Sequence, residues 1–233
     1  MKKAVITALM LTFLISGCMQ IITVNALTIP DVAVNPLNTS VGKLGKLFNV
    51  SVTIASVTNL YGYEFKLSFN TTLLQATKVF NGTFFPAYPS SYTFESKINN
   101  TEGTIWFAEA LLAPQTPKNG SGVLAKITFN STYSTIYPNT VSCALHIYDV
   151  KLSDQNGNPM PSNPIDGFYT FAPLRGDLNK DGKVDIVDVV IVAIAFGSTS
   201  GASNWNPDAD FNKDGIVDIF DVVLVTSNYG KSG

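Results

Sequence analysis

The sequence predicts a mainly β protein that ends in a small all-α unit. Three patterns predict it: runs in which apolar and polar residues alternate, turn clusters that separate those runs, and a twelve-residue Asp/Asn/Gly pattern that occurs twice near the C-terminus. Strict alternation places every second side chain on one face of a strand, so one face of the sheet is buried and the other wet. Short strands at regular spacing, with no helical period between them, predict a β-sandwich of about eight or nine strands.

In chain order, Lys2 and Lys3 precede an apolar run from Ala4 to Ile15. This reads as an export signal, too short and too early to be a committed membrane span. Two processing sites compete. Residues Ile15 to Cys18 have the form of a lipobox, which would place a lipid anchor on Cys18, and Val24 to Ala26 have the form of a small-residue cleavage site. The apolar Ile21 and Ile22 are unlike a polar lipoprotein tether and favour a signal peptide of residues 1–26. Either way the mature chain is expected to be secreted or held at the cell surface. Cys18 is then unavailable to Cys143, which reads as a small hydrophobe in a strand.

Residues 27–172 carry the strands. Phe48 to Ile54 and Tyr63 to Phe69 alternate cleanly, and further candidates are Leu74 to Phe80, Tyr92 to Ile98, Thr104 to Ala110, Val123 to Phe129, Val141 to Val150 and Phe168 to Ala172. Asn81 with Gly82, Glu102 with Gly103, Lys118 to Gly122 and Asp154 to Pro164 read as turns. Seven Asn-x-Ser/Thr sequons fall in this region, at Asn38, Asn49, Asn70, Asn81, Asn99, Asn119 and Asn130. In an exported chain they are glycosylation candidates, although Asn, Ser and Thr are also what turns and wet strand faces are made of. Charge is even here, with eight acids and eight bases, and there is no basic run, so nothing points to nucleic acid.

Residues 173–233 form the second unit, with nine aspartates against five bases. The first loop places Asp177, Asn179, Asp181, Asp185 and Asp188 at positions 1, 3, 5, 9 and 12, with Gly182 at position 6. Thirty-three positions on, Asp210, Asn212, Asp214, Asp218 and Asp221 repeat the pattern around Gly215. Oxygens at every second position, a mid-loop glycine and a carbonyl at position 7, here Lys183 and Ile216, are what a calcium ion of six to eight oxygen ligands requires. Two ions are expected, in a structural role. The apolar runs after the loops, Ile186 to Phe196 closed by Gly197 and Ile219 to Tyr229 closed by Gly230, read as two short helices with glycine C-caps. Helices this short do not persist alone, so metal binding is expected to supply missing folding free energy.

The duplicated loop, with aspartate at position 12 and Trp205, Asn206 and Pro207 leading into the second copy, resembles a type I-like dockerin module. The region from about Ile29 to Ala172 resembles a cohesin, the receptor for dockerins, on the strand patterns Val50 to Ile54, Leu60 to Leu67 with Leu73 and Leu74, Gly122 to Phe129, and Asp149 to Asp154 with Asn156 to Asn158. The resemblance implies a jelly-roll sandwich followed by a calcium-ordered helical plug. It also implies partner contacts from loop positions 10 and 11, which here are Ile186 and Val187, and Ile219 and Phe220. An apolar pair in each copy predicts a greasy recognition face; Ile186 and Ile219 divide evenly between that face and the packing of the two helices, whereas Val187 and Phe220 point outward.

An active site finds little material. His146 reads as a satisfied strand histidine, and Glu64 with Glu109 is the one pair of carboxylates worth weighing as a glycosidase couple. No nucleophile elbow, zinc signature or phosphate loop is present. Two binding readings remain. In the first the chain is a non-catalytic adaptor whose cohesin accepts a dockerin-bearing protein and whose dockerin enters another cohesin, in a polysaccharide-related or cell-surface assembly. In the second the β-region binds carbohydrate through Tyr61, Tyr63, Tyr88, Tyr92 and Trp106, and the dockerin attaches it to a scaffold. The connector Phe171 to Gly176 reaches roughly 20 Å, too short for self-docking within one chain, while head-to-tail association between chains stays open.

Overall fold

The computed structural model describes residues 29–233, so the export signal and Cys18 lie outside the described residues. Twelve strands and two helices are present among them: β1 (Asp31–Asn35), β2 (Asn38–Val41), β3 (Leu47–Leu60), β4 (Gly62–Ser68), β5 (Leu74–Asn81), β6 (Ser91–Asn99), β7 (Thr104–Leu111), β8 (Lys118–Ser131), β9 (Val141–Ser153), β10 (Pro159–Met160), β11 (Asn163–Ile165), β12 (Gly167–Phe171), α1 (Ile186–Ala195) and α2 (Ile219–Ser227). One sheet has the order β11-β1-β3-β8-β5, and the other β2-β12-β9-β4-β7-β6 with β10 added to β9. Pairing is antiparallel except for β1 with β11 and β2 with β12. The eight predicted strands are all there, and the surplus consists of the short N-terminal strands β1 and β2 and of β10 and β11 in and beside the Asp154 to Pro164 turn.

The sheets bury their inner faces against each other. Val32, Val34, Val52, Ile54, Ile127 and Phe129 from one sheet share a core with Phe65, Leu67, Ile105, Phe107, Ile147 and Phe171 from the other. Each such side chain contributes about 1.5–3 kcal/mol on burial, offset by the entropy of ordering it. A separate core of Leu178, Val184, Val192, Ala195, Ala209, Val217 and Val225 lies under α1 and α2. The two units meet where the Arg175 guanidinium stands 5.4 Å from the Tyr137 ring and where the Lys43 side chain lies over Gly182.

Two expectations are corrected here. Lys118 to Gly122 is the first part of β8 rather than a turn, because β3 extends through successive bulges to Leu60 and carries β8 with it. Ser56 and Asn59 take left-handed φ values of 58° and 60° there, and their amides donate to Ser121 Oγ and Asn119 Oδ1. A polar, glycine-bearing stretch thus serves a bulged strand. Secondly, α2 stops at Ser227 with Asn228 as its cap, two residues before Gly230.

Inside the sandwich, Glu109 points into the core and is 3% exposed. Tyr63 Oη donates to its Oε2 (2.5 Å), while Ser91 Oγ (2.6 Å) and Asn81 Nδ2 (2.7 Å) serve Oε1. Burial first, and then the neighbouring carboxylate, push the Tyr63 phenol far up, so it stays protonated and donates at every ordinary pH. Replacing Glu109 with Gln strips the charge from these bonds, and its amide is met only if Tyr63 Oη accepts from it while donating to Leu124 O (2.6 Å). The expected cost is about 1–2 kcal/mol, read as a lowered urea midpoint with an unchanged m-value.

Candidate calcium loops and docking faces

Each loop is shaped by its own carboxylates. In the first, Asp177 Oδ2 accepts from Gly182 N (2.9 Å), Asp181 Oδ1 from Lys183 N (2.9 Å), and Asn179 Oδ1 from Asp181 N (3.0 Å). The second repeats this with Asp210, Asp214 and Asn212 receiving Gly215 N, Ile216 N and Asp214 N. Gly182 and Gly215 take φ values of 81° and 87°, which a glycine adopts without steric cost.

Positions 9 and 12 have a second task. Asp185 accepts from Val187 N and caps α1, and Asp188 Oδ2 accepts from Asp185 N, a reciprocal capping box. Asp218 and Asp221 do the same for α2. Asp188 Oδ1 also takes Leu178 N, as Asp221 Oδ1 takes Phe211 N, so the last residue of each loop ties it back to its start. The loops are further joined crosswise. Val184 N bonds Lys231 O beyond α2, and Val217 N bonds Ser198 O beyond α1, each at a position-8 valine with no exposed surface.

The donor set fits a hard divalent cation. Asp177, Asp188, Asp210 and Asp221 are all buried, and a buried carboxylate is costly without a compensating charge. Burial raises the Asp177 carboxyl above its usual range, and the Asp188 and Asp181 carboxylates add to the rise. Asp210 Oδ1 is buried with no hydrogen-bond partner, although it stands at a ligand position. Among the described residues no three Asp, Glu, His or Cys side chains converge as a finished cage. In these loops the set would be completed by Asn179 and Asn212 and by the carbonyls of Lys183 and Ile216. When bound, calcium supplies the positive charge that this cluster lacks.

The outer faces of the helices are apolar and uncharged. Phe220 is 68% exposed and Ile194 67%, and Ile186, Val187, Val190, Ile219 and Val223 are also exposed. The helices pack instead through Val192, Ala195 and Val225. Ile186 and Ile219 therefore stand with Val187 and Phe220 on the open face.

The sandwich presents a different surface. On the outer face of β6-β7-β4-β9, the register aligns Lys97, Trp106, Lys66 and Tyr148 in one row and Glu95, Ala108, Glu64 and Lys151 in the next. Lys66 and Lys97 hold their ammonium groups 5.5 and 5.2 Å from the Trp106 ring centroid. Ion pairs join Lys66 to Asp149, Lys151 to Glu64 and Lys97 to Glu95 at 2.8–3.0 Å. The hydrogen bond to Lys66 holds the Asp149 carboxyl below its ordinary range. Phe94 and Tyr92, edge to face at 5.0 Å, extend the face along β6. The opposite sheet shows Asn49, Thr53 and Thr128 instead, without aromatic rings in its centre.

A family model described as the cohesin domain matches residues 32–159. The chain belongs to the cohesin family. A second model, the type I dockerin domain, matches residues 175–228, so the cohesin is followed by a dockerin. Among solved structures, a non-cellulosomal cohesin from the hyperthermophilic archaeon Archaeoglobus fulgidus is similar at 17% identity and a TM-score of 0.50, over 62% of this chain and 92% of that one. A cohesin–dockerin complex of Clostridium thermocellum is similar at 15% identity and 0.53, over 63% and 95%. The third ScaC cohesin of Acetivibrio cellulolyticus, solved with the ScaB dockerin, is similar at 14% and 0.53, over 62% and 99%. At these identities the likeness is one of fold. A sequence search of curated proteins finds no match. Type I dockerins bind calcium, and cohesins and dockerins bind one another's bearers, so the partners of this chain are dockerin- and cohesin-bearing proteins.

The remaining candidate residues fall into place around these faces. Glu64 and Glu109 lie on opposite sides of the sheet, the first paired with Lys151 and the second in the core, so they share no cleft. His146 is exposed, bonded through Nδ1 to Asp166 and stacked on Tyr148. Cys143 is half-buried in β9, and burial raises its thiol. Of the five aromatics proposed for sugar, Tyr63 is buried on Glu109, Tyr61 packs against the core and Trp106 lies beneath two lysines. Tyr88 and Tyr92 alone are exposed. Sequence reasoning missed the Lys66, Lys97 and Asp149 lattice; alternation put Lys66 and Lys97 on wet faces, but only the register brings them together over Trp106.

Proposed function

We propose that this chain is a two-ended extracellular connector, divided at Ala172/Pro173. A dockerin-bearing protein docks on the Trp106 face of its cohesin, and its own dockerin, ordered by two structural calcium ions, docks through α1 and α2 on another cohesin. The observation that carries this reading is the unlike chemistry of the two ends. α1 and α2 contain no charged residue except the buried Asp188 and Asp221, whereas the cohesin face holds three lysines among carboxylates. Pressing the apolar helices onto that lattice would desolvate charges without replacing their partners. The ends therefore suit different partners, and head-to-tail self-association is disfavoured. Sedimentation should give a monomer both in calcium and in chelator; oligomers in calcium would contradict this.

Export by residues 1–26, with a lipid anchor at Cys18 as the alternative, places the connector outside the cell or on its surface, in a polysaccharide-related or surface assembly. The chain is read as non-catalytic. A second reading, carbohydrate binding by the β-region, keeps one supporting feature, a cleft of about 490 Å³ lined by Tyr88, Tyr92, Asn81 and Thr93. Pull-downs from the organism's secreted proteins, with the parent chain, a Trp106→Ala variant and a Val187→Asp/Phe220→Asp variant as baits, test the two ends. The Trp106 bait should lose dockerin-bearing proteins only, and the helix bait cohesin-bearing proteins only. Baits that bind insoluble polysaccharide and neither protein class would favour the second reading.

A further inference from the structure

The seven sequons are not equivalent once folded, and their placement points to a selective modification. An N-linked glycan replaces a hydrogen on Nδ2, so a folded acceptor must spare that donor and keep it at the surface. Asn49 uses Oδ1 to accept from Thr128 Oγ1, Asn70 to accept from Thr72 N, Asn99 to accept from Thr101 N and Glu102 N, and Asn119 to accept from Asn59 N. All four are exposed, and among the described residues their Nδ2 groups have no protein acceptor. Asn38 is exposed on the edge strand β2.

The other two differ, Asn81 in its spent donor although it too is exposed, and Asn130 in its burial. Asn81 spends Nδ2 on Thr93 Oγ1 and Glu109 Oε1, both at 2.7 Å, and losing the second bond strips a donor from a buried carboxylate. Asn130 is half-buried, with Oδ1 enclosed and unpartnered.

We propose that Asn38, Asn49, Asn70, Asn99 and Asn119 accept N-linked glycans while Asn81 and Asn130 stay bare. The donor is a glycan joined through its anomeric carbon to a phosphate leaving group. Nδ2 forms the new C–N bond, the anomeric C–O bond breaks, and the Nδ2 proton leaves with the departing phosphate. The Ser or Thr hydroxyl two residues on completes each acceptor. None of the five lies in the central Trp106 rows or on α1 and α2. Asn49 is on the opposite sheet, Asn70 and Asn119 are at strand ends, Asn99 leads into the β6–β7 turn, and Asn38 is beside Phe168 at the far edge. Sugars at these positions would hydrate the sandwich and leave both docking faces open.

This inference rests on export of the chain, and the experiment separates the two. The protein is recovered from medium, cell surface and cytoplasm of its own cells, and its intact mass and glycopeptides are measured. The expected result is extracellular protein heavier than its polypeptide, with glycans confined to the five sites. Asn70→Gln and Asn119→Gln should each remove one glycan mass, and Asn81→Gln none. Extracellular protein of bare polypeptide mass, or a glycan on Asn81 or Asn130, would overturn the proposal. Recovery from the cytoplasm alone would instead overturn the export reading on which it stands.

Discussion

Chelating calcium unfolds residues 173–233 and leaves the β-sandwich intact. α1 has ten residues and α2 nine, below the roughly 12–15 at which isolated helices become even marginal in water. Their shared core is small, and its loops bury four aspartates that repel one another without a cation. At calcium concentrations 100 times the dissociation constant, each occupied loop stabilises the folded unit by about 2.7 kcal/mol. Two occupied loops together then contribute about 5 kcal/mol, the order of the whole net stability of a small domain. Hydrogen exchange should show protection collapsing across α1 and α2 in chelator while β3, β4, β7 and β8 stay protected. Asp188→Ala or Asp221→Ala should act in the same direction in calcium, because each removes a buried loop carboxylate, a cap partner and the bonds that close its loop. Protected helices in chelator would contradict a structural role for the metal.

Introducing aspartate at both Val187 and Phe220 abolishes binding to the cohesin partner and leaves the dockerin folded. These two residues are equivalent in the repeats and exposed, and each directly precedes a buried loop aspartate. Buried aromatic anchors at an interface cost about 2 kcal/mol or more on truncation, and an unpaired charge adds desolvation to that. A loss of 100-fold or more is expected by calorimetry, with circular dichroism and calcium affinity unchanged. Changing both helices guards against docking by either one. The helices are near copies but differ at the surface, where Ile194 of α1 is replaced by Ser227 of α2, so the single variants will report which helix the partner prefers. A loss under threefold in the double variant would remove the helices as the docking face.

What could be read from the chain divides by how local the signal is. The duplicated Asp/Asn/Gly pattern lies within twelve consecutive residues, so the turn bonds and caps of the loops Asp177 to Asp188 and Asp210 to Asp221 follow from the sequence position by position. Alternation likewise located the long strands. The N-terminal strands β1 and β2 escaped because they are short and β1 is bounded by Pro30 and Pro36. Glu109 gave no sign that it faced inward, since its three donors come from β4, β5 and β6. The same limit hid the Trp106 face: that tryptophan reads as a sugar platform until β6 and β4 lay a lysine on either side of it. Asn81 reads as one sequon among seven until β7 brings Glu109 to its amide.

Reconstitution with two partners tests the connector most directly. A dockerin-bearing and a cohesin-bearing protein, taken from the pull-downs, are mixed with the chain in calcium, and the mass of the complex is measured by light scattering after gel filtration. A ternary complex of one chain and one of each partner is predicted, dissociating in chelator and losing only the cohesin-bearing partner in the Val187→Asp/Phe220→Asp variant. Mutually exclusive binding of the two partners would contradict the account.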